Sequence, residues 1–140
     1  MKIRNGLLTC VLVGALSLGP VVAQEADPHM LDGTELEYTY TDGGSVILTF
    51  YDGLLKFRWT AGPNEGASGE GFEYNARMIG DDRYVVVWRM IEDRNYLTMV
   101  IDLGQSSLFT SALLGYGTEQ EGVLFDEATI HRVDRLKPQP

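Results

Sequence analysis

Residues 83–104 read RYVVVWRMIEDRNYLTMVIDLG. Two runs lie inside this stretch, Tyr84–Met90 and Tyr96–Asp102, joined by the polar link Glu92-Asp93-Arg94-Asn95. Tyr84, Val86, Trp88 and Met90 occupy alternate positions of the first run, and Leu97, Met99 and Ile101 those of the second. Successive side chains of a strand point to opposite faces, so each run has one continuous apolar face. Alternating runs rich in β-branched and aromatic residues, split by a turn, predict an antiparallel hairpin. Arg89 and Asp102 interrupt otherwise apolar strands and predict that one face of each is wet.

The same rhythm extends outward from this hairpin. Upstream, Leu36–Tyr40 places Leu36, Tyr38 and Tyr40 on one face. Asp42-Gly43-Gly44 is a turn signal, because glycine adopts positive φ without a Cβ clash. Ser45–Tyr51 follows, then the tight turn Asp52-Gly53, then Leu54–Thr60, where Leu55, Phe57 and Trp59 alternate with Lys56 and Arg58. Ala61–Gly69, AGPNEGASG, is the longest irregular stretch. Glu70–Ile79 carries Phe72, Tyr74, Ala76 and Met78 on one face. Downstream, Ser107–Tyr116 and Val123–Val133 complete the set, with Val123, Phe125, Ala128 and Ile130 expected inward and a bulge near Asp126-Glu127 where the parity slips. Eight short strands without a helix, joined by consecutive hairpins, predict an all-β fold: a single closed up-and-down antiparallel barrel, just wide enough for one small ligand. Closure removes the strand edges that invite aggregation. A sandwich is the alternative, but sandwiches usually need Greek-key crossovers.

The N-terminus reads as an export signal. Lys2 and Arg4 precede the apolar run Leu7–Leu18; Pro20 then breaks the pattern, and Val21-Val22-Ala23 offers small residues for cleavage. The expected organisation is a signal peptide over 1–23, a flexible lead-in over 24–31, a barrel domain over 32–134 and a tail over 135–140, with the product secreted into the bacterial periplasm. Cys10 lies at the start of the apolar run, whereas a lipobox cysteine follows it. The net charge of the whole chain is −9. Cleavage would leave nine Lys and Arg against twenty Asp and Glu. Such an acidic chain is a poor partner for nucleic acid or anionic lipid. It would also hold no cysteine, so disulfides, thiolate metal sites and a cysteine nucleophile are excluded.

Chemistry-bearing residues are sparse. The 61–69 loop fits no phosphate-cradling pattern, and no cofactor is expected. His29 and His131 stand alone, without the paired spacing a metal needs; His29 is expected in solvent, and His131 exposed or satisfied within the core. Arg58, Arg77 and Arg89 are expected on the outer face, pairing with Glu37, Glu73 or Asp102. Tyr38, Tyr40, Phe57, Trp59, Tyr74 and Trp88 fall on inward faces. Two readings are open: a core packed solid, leaving a structural or interaction barrel, or an aromatic-lined pocket for a small apolar or aromatic ligand. Tyr38 and Tyr40 favour the pocket, since buried phenols two residues apart need hydrogen-bond partners. Self-association into a homodimer is left open.

Glu37-Tyr38-Thr39-Tyr40 with Asp42-Gly43, and the later Tyr84–Trp88 run, resemble the calycin-type barrels of the phenolic acid decarboxylases. Phe72-Glu73-Tyr74-Asn75-Ala76 and Val100-Ile101-Asp102-Leu103 bring the chain, over Leu31 to about Val133, closer to the small domain of molybdenum-cofactor-biosynthesis protein F, a MoaF-like barrel. The resemblance implies a calycin barrel. For the decarboxylases it implies a tyrosine pair, an arginine and a glutamate. Tyr38 and Tyr40 match the pair; the glutamate position holds Met90 and the arginine position falls near Ala67. A thioether cannot relay a proton, and losing an acid–base group costs about 10²–10⁴-fold in rate. The reading leans away from turnover, and Met90 joins the candidate ligand-binding residues.

Overall fold

A computed structural model describes residues 26–135. The expected signal peptide, and the tail beyond Arg135, lie outside the described residues. Eight strands follow one another: β1 (Thr34–Tyr40), β2 (Ser45–Tyr51), β3 (Leu54–Ala61), β4 (Ser68–Gly80), β5 (Arg83–Met90), β6 (Asn95–Asp102), β7 (Ser107–Leu114) and β8 (Gly122–Arg135). Each pairs antiparallel with its neighbours, and β8 returns to β1, so the sheet closes into an up-and-down barrel as expected. The hairpin of residues 83–104 forms with Val86 opposite Met99 and Trp88 opposite Leu97.

Turn chemistry fixes the register. Asp52 and Gly53 both have positive φ (49° and 74°), the backbone of a type I′ hairpin turn, which matches the twist of the flanking strands. Gly44 has a different role. A Cβ there would lie 2.8 Å from the Trp59 ring, and one on Gly62 would lie 2.6 Å from the Gly44 backbone. The β1–β2 turn and the β3–β4 loop can therefore approach each other only because both carry glycine.

Up-and-down topology puts alternate loops at opposite ends, and the two ends differ. One is closed. The segment expected to be a flexible lead-in is docked from Pro28 onward: Ala76 N–H donates to Pro28 O at 2.7 Å, Leu31 is 1 % exposed, and Met30 packs on the core. His29, expected in solvent, is half-buried with its ring 5.4 Å from that of Tyr74. Above this plug, Leu36, Phe50, Leu55, Val86, Ile101 and Leu108 form a packed core.

The last strand departs from expectation. Val123 and Phe125 point outward, 79 % and 75 % exposed, while Leu124, Asp126, Ala128 and Ile130 take the inward parity. The bulge lies at His131 rather than near Asp126, since Glu37 pairs with Arg132 and Tyr38 with Ile130. The outer ion pairs also differ. Arg58, Arg77 and Arg89 are exposed as expected, but Arg83 binds Asp102 at 2.7 Å, and Arg132 binds Glu35 and Glu37 at 3.0 and 3.1 Å and also Asp134. The Arg83 guanidinium covers Asp102, which is 7 % exposed rather than wet, and its hydrogen bond holds that carboxyl below the usual range.

Candidate functional site

The open end of the barrel encloses a cavity of about 460 Å³. That volume suits a small ligand. Its walls come from all eight strands, β4 through Ser68 alone, from Asp42 in the β1–β2 turn and from the β3–β4 loop. Tyr38, Tyr40, Phe57, Trp59, Trp88 and Met90 all line it, so six of the seven expected ligand-binding residues meet in one space. Tyr74 is not among them. It sits at the closed end, its hydroxyl donating to Asp32 Oδ1 at 2.8 Å and its ring 4.8 Å from Phe50. Tyr74 belongs to the plug: the strand pattern gave its face correctly but could not say at which end of the barrel it lies.

The rings form two connected groups. Tyr38 meets Tyr40 edge-on at 5.4 Å, and Tyr40 stacks on Trp59 at 5.8 Å. On β3, β4 and β5, Phe57 and Phe72 stack at 6.0 Å, and both lie within 6 Å of Trp88. Gly69 makes this second group possible, since a Cβ there would come within 3.0 Å of both phenylalanine rings. Val46, Leu48, Leu97 and Met99 supply aliphatic surface between the groups.

Polar groups are interspersed among these rings. The Tyr40 hydroxyl and Thr110 Oγ1 share a hydrogen bond of 2.8 Å. Burial pushes both phenols above their ordinary pKa; for Tyr38 the adjacent Tyr40 adds to the effect, and for Tyr40 the bond to Thr110 partly offsets it. Both therefore stay protonated at neutral pH and can donate. Asn95 Nδ2 donates weakly to the Met90 sulfur at 3.9 Å, which orients the thioether. Trp88 Nε1 is buried and has no hydrogen-bond partner among the described residues. An unpaired buried donor costs about 1–3 kcal/mol, so an acceptor reaching it would relieve that penalty.

Asp42 and Asp126 also line the cavity and were not singled out from sequence. Asp42 Oδ1 accepts from Gly44 N at 2.8 Å; Asp126 Oδ1 accepts from Thr41 Oγ1 at 2.9 Å and from Glu127 N at 2.7 Å. The only signal for Asp126 was the slipped parity of the last strand. Among the described residues no Lys, Arg or His lines the cavity, so Asp42 and Asp126 are the only charged groups beside its hydroxyls, Ser68, Thr110 and the two phenols. Among the described residues no cluster of His, Cys, Asp and Glu is placed to hold a metal.

No protein-family model matches the chain, and no curated protein matches it. Among solved structures it is similar to one from Burkholderia vietnamiensis described as "a putative beta-lactamase", with a TM-score of 0.65 and 19 % identity over 76 % of this chain and 98 % of the other. At that identity the likeness shows a shared fold.

Proposed function

We propose that this chain is an exported small-molecule-binding barrel, a lipocalin-like module of the bacterial periplasm that holds an apolar or aromatic ligand without turning it over. One observation carries the reading: the cavity at the open end, ringed by Tyr38, Tyr40, Phe57, Trp59 and Trp88 and holding an unpaired indole donor. Aromatic walls offer large contact area, and a few polar groups fix orientation. Export is supported by the N-terminal pattern Lys2, Arg4, Leu7–Leu18 and Val21-Val22-Ala23. A lipid-facing role is opposed by Lys56, Arg58, Arg77 and Arg89, which stand exposed along the outer face where a membrane barrel carries an apolar band.

The decarboxylase-like reading finds its tyrosine pair on the cavity wall. It also finds Met90 and Ala67 there, at the positions where the resemblance implies glutamate and arginine. Neither can move a proton or clamp a carboxylate, and the two carboxylates the cavity does hold, Asp42 and Asp126, would repel a carboxylate substrate, which supports binding over decarboxylation.

The test is a titration of intrinsic fluorescence with 4-phenylbutan-1-ol. Both tryptophans of the chain, Trp59 and Trp88, line the cavity, so saturable quenching or a spectral shift is expected. Tyr38→Phe with Tyr40→Phe should weaken that binding several-fold while leaving the melting temperature within a few degrees. An unchanged spectrum up to millimolar alcohol would support a barrel that works through its surface.

A further inference from the structure

Resting on the ligand-binding reading, we infer that the cavity selects by charge. It takes ligands with an apolar body and a cationic, ammonium-type head, and turns away carboxylates. The ionisable groups on its wall, the neutral phenols aside, are Asp42 and Asp126. Both stand near the Tyr40 phenol, whose proton their charges help retain. Each carboxylate spends Oδ1 on the protein's own loops, and each Oδ2 makes no hydrogen bond among the described residues. The site thus offers two free acceptor oxygens beside the stacked faces of Tyr40 and Trp59. Carboxylate oxygens with adjacent aromatic faces are the surroundings that attract an organic cation.

The surrounding surface points the same way. Four connections surround the opening: residues 41–44, 62–67, 91–94 and 115–121. They carry Asp42, Glu65, Glu92, Asp93, Glu119 and Glu121 against the single cation Arg94. An opening lined by one sign of charge raises the local concentration of the opposite sign and slows entry of its own. Below the rim, Val46, Leu48, Leu97 and Met99 suit an apolar body, and Trp88 Nε1–H can donate to an acceptor atom or to the π face of an aromatic ligand.

A matched series tests this: 4-phenylbutylamine, 4-phenylbutan-1-ol and 4-phenylbutyrate, each titrated by calorimetry at pH 7 and low salt. The amine is expected to bind at least tenfold more tightly than the carboxylate, with the alcohol between them. Asp42→Asn with Asp126→Asn keeps both Oδ1 acceptors and removes both charges. It is expected to bring amine and carboxylate within about threefold of each other, read as a ratio on the same protein. Raising salt from 20 to 500 mM on the unaltered protein should narrow the same ratio, so the result does not depend on how the double variant folds. Carboxylate binding equal to or tighter than amine, or a ratio that neither salt nor the double variant alters, overturns charge selection while leaving the pocket intact. Failure of all three probes, the alcohol included, overturns the binding reading and charge selection together.

Discussion

Phenols govern the chemistry at the level of single residues. Tyr38, Tyr40 and Tyr74 all have pKa values raised by burial first; for Tyr74 the Asp32 carboxylate, which accepts its hydroxyl, adds to the shift. A phenol whose folded pKa lies above its unfolded value near 10 binds its proton more tightly in the native state. The stability this confers is complete below about pH 10 and is lost as pH rises past 10 toward the raised values. In an absorbance titration at 295 nm followed alongside circular dichroism, these three tyrosines should ionise only as the sheet signal disappears. Tyr38→Phe should remove one tyrosine from that late step. Ionisation of all seven tyrosines in one step near pH 10, with the sheet intact, would contradict this. Inward-facing phenols were legible in the sequence because side chains alternate along a strand. The separate fates of Tyr40 and Tyr74 were not, because their partners Thr110 and Asp32 lie 70 and 42 residues away.

Among the elements, the turn before β1 has the largest unanticipated role. Polar composition and Pro28 suggested a loose leader, yet Leu31 is buried with the core and Asp32 ties the turn to Gly53 N and Tyr74. The apolar pair Met30-Leu31 was the available signal, but two residues are too few to show periodicity. Leu31→Ala leaves a cavity at the closed end and should cost about 2–5 kcal/mol in a urea unfolding experiment. A loss below about 0.5 kcal/mol would mean that the turn does not seal the barrel. On β8 the assumption that apolar residues face inward failed, since Val123 and Phe125 are outside and Leu124 and Asp126 inside. Ala128 and Ile130 do face inward as expected, so the phase was misread only in the strand's first half. The bulge at His131 shifts the register against β1, and no local sequence feature fixes which parity is buried.

Across the whole molecule, the barrel is packed at one end by aliphatic and aromatic side chains and hollow at the other. The packed half can hold the sheet together without disulfides, which leaves the other half free to keep a cavity. The acidic opening arises only on closure. Asp42 and Asp126 are far apart in sequence, and the pairing of β1 with β8 brings them to one rim, where Thr41 bonds Asp126. A closed tube was predictable from eight alternating segments, whereas the chemistry of its mouth depends on which strand ends meet.

The most direct measurement is a crystal structure grown with 4-phenylbutan-1-ol. Density for the phenyl ring is expected among Tyr38, Tyr40, Trp59 and Trp88, with the hydroxyl within hydrogen-bond distance of a cavity polar group. A saturating ligand found only on the outer face, or a mouth closed over by collapsed side chains with no ligand inside, would contradict the binding cavity.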